Sequence, residues 1–192
     1  MGNSLLMTTE ATYSLNFLIY IQNIFLNQNQ RNGKFKFPYM TTKYMFREEF
    51  ESTYKKLWDE VSERIFDQSI SDMEIFYEEK DLFYQRLFVE SDENLKDYTE
   101  IYKSFGVWWE SFAGRISIER SISDEGWNLY VGLANLLAQK GIEPKKELSI
   151  SLIYDECILA NLDVFPYFSI LTTKNLFVAY KEIIPKLEVC IY

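Results

Sequence analysis

Residues 13–26 read YSLNFLIYIQNIFL, an apolar run with hardly a polar side to it. Wound into a helix, such a segment offers no face to water, so the rest of the chain has to wrap around it. The expectation is a central buried helix, with a strand as the alternative. The run is short of the about 20 residues that span a bilayer, and Asn16, Gln22 and Asn23 interrupt it. Residues 1–12 hold no Lys or Arg, and no small-residue cleavage site follows the run. A secretory signal is therefore not read here. Gly2 is followed by Leu6 where the myristoylation pattern wants Ser or Thr. The expectation is a cytoplasmic protein with no membrane association. A composition rich in Phe, Tyr, Ile, Asn and Lys points to an AT-rich coding sequence, as in a low-GC bacterium, plasmid or phage.

Hydrophobic period gives further helices. Phe46, Phe50, Tyr54, Leu57, Trp58, Val61 and Ile65 recur at spacings of three and four, with charged residues on the other sides. Ser71-Asp72-Met73-Glu74 has the form of a capping box and opens a third helix to about residue 88. Ser91-Asp92-Glu93 opens a fourth, whose stripe runs from Leu95 to Ile116, and Ser123-Asp124-Glu125 a fifth. The fifth stops at Gly141-Ile142-Glu143-Pro144, a left-handed glycine cap followed by an apolar residue and a proline. Residues 145–162 read as a buried helix, although the alternation of Ser149-Ile150-Ser151 leaves a strand open. Thr172 or Thr173 opens a last helix that ends or kinks at Pro185. Asn32-Gly33 followed by Lys34-Phe35-Lys36-Phe37 leaves room for one small β-hairpin near residues 27–37. The expected fold is all-α, a single-domain bundle of six to seven helices over residues 1–192.

Chemistry is bounded by what is missing. The chain has no histidine, which removes Ser-His-Asp and Cys-His nucleophilic sites and His-ligated zinc. Two cysteines, Cys157 and Cys190, cannot build an all-thiolate zinc site. Cys157 lies in an apolar run with no cationic neighbours and reads as a small buried hydrophobe. No phosphate-cradling glycine loop, nucleophile elbow or EF-hand loop is found.

The net charge of −9 is concentrated: residues 67–100 hold eleven acids and three bases. Residues 11–47 hold no acid and five bases, interleaved with aromatic rings. Five cations on an acidic chain are few for phosphate binding, so nucleic acid is not an expected partner. The acidic stretch can be a solvated face rich in helix starts, or a docking surface for a basic protein. In the second case Asp72, Glu74, Glu78, Glu79, Asp81, Asp92, Glu93 and Asp97 form it. Trp108, pushed to a flank if Trp109 joins the Phe105/Phe112 core stripe, is then an interface anchor.

One constellation can carry chemistry. Glu60-Val61-Ser62-Glu63 and Glu78-Glu79-Lys80-Asp81 place carboxylates at i and i+3 on two consecutive expected helices. If those helices run antiparallel, Glu60, Glu63, Glu78 and Asp81 can converge on Mg²⁺, which oxygen ligands suit. This pattern resembles the all-α nucleoside-triphosphate pyrophosphatases of the MazG and dimeric dUTPase group. The resemblance spans residues 57–83. It departs from that group at Lys80, where a small residue is usual, and lacks the downstream phosphate-binding segment. It implies a Mg²⁺-dependent hydrolase with those four carboxylates as ligands.

The sequence alone thus leads to a small acidic cytoplasmic interaction factor of inhibitor, immunity or anti-defence type, docking a basic partner through its acidic helical surface. That reading has no catalytic residues and no cofactor. The alternatives are the pyrophosphatase, which requires Mg²⁺, and a small-molecule-binding helical sensor.

Overall fold

The computed structural model describes residues 5–29, 35–121, 123–162 and 165–191. Among them are eight helices and three strands: β1 (Met7–Glu10), α1 (Tyr13–Asn29), α2 (Phe50–Phe66), α3 (Asp72–Glu78), α4 (Lys80–Leu87), α5 (Asp92–Trp109), α6 (Arg115–Ser121), α7 (Ser123–Lys140), β2 (Leu148–Ile153), β3 (Phe168–Thr172) and α8 (Thr173–Val189). They fall into two compact units. A helical unit comprises Tyr13–Ser111 and Cys157–Asn161. A sheet unit comprises Met1–Thr12, Phe112–Glu156 and Leu162–Tyr192.

The helical unit is built around α1, as its all-round apolar character requires. Thirteen of its seventeen residues are buried. Phe17 lies within about 6 Å, ring to ring, of Phe76, Phe83, Tyr98, Tyr102 and Phe105. The start of α1 is held from outside. Both Asp72 carboxylate oxygens accept its first free N–H groups, from Tyr13 at 2.5 Å and Ser14 at 2.9 Å, as a helix N-terminus favours. The capping box at Ser71 and Glu74 is present.

The expected third helix is two. It breaks at Glu79, whose backbone is not helical, into α3 and α4. The expected fourth stops at Trp109 with an αR cap at Glu110, so the stripe to Ile116 is not one helix. The Gly141 cap is as expected. Its φ is +66°, Gly141 N–H donates to Ala138 and Ile142 N–H to Leu137, the paired bonds of a Schellman stop.

The all-α expectation is wrong in the sheet unit. β1, β2 and β3 form a parallel sheet in that order. Residues 148–153 are a strand rather than part of a buried helix, and five of the six are buried. Parallel strands covered on both faces lose the alternation that marks a half-exposed strand and read as continuous apolar runs. β3, which reads FSILT and is wholly buried, gives no alternation of exposure for the same reason. α8 begins at its Thr172 cap and continues through Pro185 to Val189. The hairpin near 27–37 is also corrected where it is described. Residues 27–29 complete α1 and residues 35–37 form no strand, while the Asn32-Gly33 turn lies outside the described residues.

Candidate functional site

The polar side chains buried on α1 have a task. Asn23 donates to the Phe37 carbonyl at 2.7 Å, and Asn27 donates to the carbonyls of Lys36 and Pro38 while accepting from Lys36 N–H. Gln28 exchanges two hydrogen bonds with the backbone of Tyr44. Residues 35–44 have no regular structure of their own, so these amides replace the backbone ladder that a strand would supply. The clamp fixes Phe37 against Trp108 of α5, ring centroids 4.8 Å apart, and Tyr20 of α1 stacks on the same indole.

Half-buried Trp108 lines an open groove of about 480 Å³ together with Glu100, Lys103, Ser104, Val107 and Ser111. Glu100 and Lys103 are an ion pair at 3.1 Å, both largely exposed. Val107 is 76% exposed and Phe37 49% exposed. Burial pushes the Tyr20 phenol up to about 12. It also raises Tyr44, with Asp97 and Glu100 acting in the same direction. Both phenols keep their protons at neutral pH. The groove thus joins an aromatic platform to a carboxylate, an ammonium and two hydroxyls, a set that can hold a polyhydroxylated ring by its apolar face and its hydroxyl edge.

The acids singled out in the sequence have other surroundings. Asp72 caps α1, and Glu74 closes the box with Ser71. Asp81, Asp92 and Glu93 sit in the first turns of α4 and α5. Glu78 ends α3, and Asp97 is half-buried near Tyr44. Three helix starts within residues 71–92 draw carboxylates there for their dipoles. Burial, against three hydrogen bonds from residues 13 and 14, raises the Asp72 pKa. Glu79 makes a two-point pair with Arg64 at 2.8 and 2.5 Å, and the guanidinium holds its carboxyl below the usual range. Glu60 pairs with Arg86 at 2.7 Å, and Glu63 is exposed.

The four carboxylates Glu60, Glu63, Glu78 and Asp81 are spread over α2, α3 and α4. Among the described residues no group of three or more His, Cys, Asp or Glu is placed to hold a metal ion. The break at Glu79 puts Glu78 and Asp81 on different helices. Cys157 is half-buried, and burial pushes its thiol up to about 11, away from the thiolate that reactivity requires. No helix among the described residues is long and apolar enough to cross a membrane.

A sequence model of the L-rhamnose mutarotase family matches residues 39–130, just under half of the chain. The matched stretch runs from the clamped arm through α2 to α6 and into α7, and contains none of the three strands. No curated protein and no solved structure matches the chain. The family match is to a family named for the interconversion of a sugar. It overturns the expectation of an inhibitor, immunity or anti-defence factor and that of a nucleotide pyrophosphatase. The helical sensor bundle falls with the all-α fold. Sequence reasoning had marked Trp108 but not Glu100, Lys103 or Phe37 beside it. The signal available was Trp108 lying one helical turn beyond Ser104 and two beyond Glu100.

Proposed function

We propose that the chain binds a reducing sugar in the Trp108 groove and speeds the interconversion of its anomers. One observation carries this: every residue lining the groove lies within the stretch similar to the L-rhamnose mutarotase family. The chemistry needs a base at the anomeric hydroxyl and an acid at the ring oxygen. Proton removal and proton delivery open the ring to the aldehyde, rotation about the adjacent bond turns the carbonyl over, and closure gives the other anomer. With no histidine in the chain, the Glu100 carboxylate takes the base role and the Lys103 ammonium the acid role. The indole of Trp108 holds the apolar face of the ring, Ser104 offers a hydroxyl to its edge, and the Ser111 hydroxyl, which donates to the Trp108 carbonyl, can accept from a sugar hydroxyl. We place the activity in the cytoplasm, a reading that two free thiols support.

The test is anomer exchange of L-rhamnose, followed by magnetisation transfer between its anomeric proton signals at neutral pH. Protein should raise the exchange rate above that of buffer. Glu100→Gln should remove most of the gain, about 100-fold for loss of a general base, while Trp108→Ala should mainly weaken sugar binding. Exchange at the buffer rate for rhamnose and for a panel of other aldoses overturns the reading.

A further inference from the structure

The sheet ends on β1, whose neighbour in the sheet is β2. Met7 stands opposite Leu148 and Thr9 opposite Ile150, and Leu148 N–H donates to the Leu6 carbonyl at 2.9 Å. A parallel ladder bonds each residue to the two that flank its partner. β1 therefore turns the backbone groups of Thr8 and Glu10 towards β2, and those of Met7 and Thr9 away from it. This outer edge carries no Pro, Lys or bulge among residues 7–10, and its single charge, Glu10, stands at the far end of a four-residue strand. Leu6, at its entry, is 65% exposed. Tyr130 donates to the Leu5 carbonyl, and Trp127, 66% exposed, stacks on the Tyr130 ring.

We propose that β1 pairs antiparallel with β1 of a second copy about a two-fold axis through Thr8, joining two three-stranded sheets into one of six. In that register Met7 and Thr9 exchange both N–H···O=C bonds with Thr9 and Met7 of the other copy, so all four outward groups of each strand are used. Registers centred on Met7 or on Thr9 leave some of them unpaired. The charges fit the same register. Glu10 comes opposite Leu6 of the other copy, the two Glu10 carboxylates lie at opposite ends of the ladder, and each points to the end where Lys145 and Lys146 outnumber Glu147. The exposed Leu6 and Trp127 then flank the joint on both sides.

Sedimentation velocity on the full chain between about 1 and 100 μM tests this. The wild type should sediment with twice the monomer mass at the upper end. Thr9→Pro removes an outward N–H and touches no β1–β2 bond, so it should give a monomer with an unchanged circular-dichroism spectrum. Thr8→Lys, at an exposed position, sets like charges face to face at the axis and should do the same without any backbone change. Thr9→Ala should remain a dimer. A wild type that is monomeric at 100 μM overturns the proposal, and so does a dimer that persists in Thr8→Lys.

Discussion

The two units solve the problem of burial in opposite ways. In the helical unit a single helix is surrounded, and its neighbours are amphipathic with one stripe turned inwards. Phe50, Tyr54, Leu57, Trp58 and Val61 on α2 are buried while Glu51, Lys55 and Lys56 are exposed. In the sheet unit β2 and β3 are buried on both faces, β3 throughout. The first arrangement writes a period of 3.6 into the sequence. The second writes only an apolar run, because neither face has to be polar.

Core truncation gives the largest expected effects and separates the units. Phe17 touches five other aromatic rings and is fully buried. Phe17→Ala should cost about 3–5 kcal/mol of unfolding free energy. Ile150, fully buried in the central strand, should cost about 2–4 kcal/mol on Ile150→Ala, a smaller side chain leaving a smaller cavity. Urea unfolding of the two variants checks the order. A larger loss at Ile150 would mean that the sheet, rather than the aromatic cluster, is the tighter core.

That contrast also explains what could be read in advance. The positions of α1 and α7, the body of α2, the box at Ser71 and the stop at Gly141 were legible, because period and capping are local. Phe46, read as part of the α2 stripe, lies before that helix and bridges Phe88. β2 and β3 were not legible. Ser149 and Ser151 alternate with apolar residues, but Ser151 is itself buried, bonded to Thr12 at 2.8 Å. That partner is 139 residues away in sequence, and no window on a sequence contains it. The groove suffered similarly. Trp108 stood out by its type, whereas Phe37 becomes part of the site through amides of α1 that the sequence offered only as polar interruptions of an apolar run.

Two acids of the helical unit should show pH slopes of opposite sign. Asp72→Ala removes the cap on α1 and should cost about 1–2 kcal/mol. Burial raises the Asp72 pKa, so the folded chain holds this proton more tightly than the unfolded one. Its contribution is full below the unfolded pKa and falls as pH rises through the folded value. Asp72→Asn has no such proton, and the melting temperature of the wild type should gain on that of the variant as pH drops from about 6 to 4. Glu79 is the reverse. Arg64 lowers its pKa, so its stabilisation is present above the unfolded pKa and is lost as pH falls through the lowered value. The pair is partly exposed. Glu79→Gln should therefore cost no more than about 1 kcal/mol, and less at 1 M salt. Parallel slopes for the two variants would show that the environments of Asp72 and Glu79 are not as described.

The smallest effect lies where α7 meets α8. A Cβ built on Gly132 would overlap Cδ1 of Ile184, with no other group in the way. Cδ1 is the far end of a flexible side chain, so rotation of Ile184 can make room at a cost of about 1 kcal/mol. Replacing a mid-helix glycine by alanine returns about the same amount through backbone entropy. Gly132→Ala should consequently be near neutral in thermal unfolding. Gly132→Val, with two more methyls directed at Ile184 and a poorer helix former, should be clearly destabilising, by about 1–3 kcal/mol. Ile184→Ala should then relieve the overlap, so the double variant Gly132→Val/Ile184→Ala should lose less than the two single losses combined. Strict additivity would show that α7 and α8 do not touch at this point. The site would then belong with the exposed helix surfaces rather than with the buried contacts that distinguish the sheet unit.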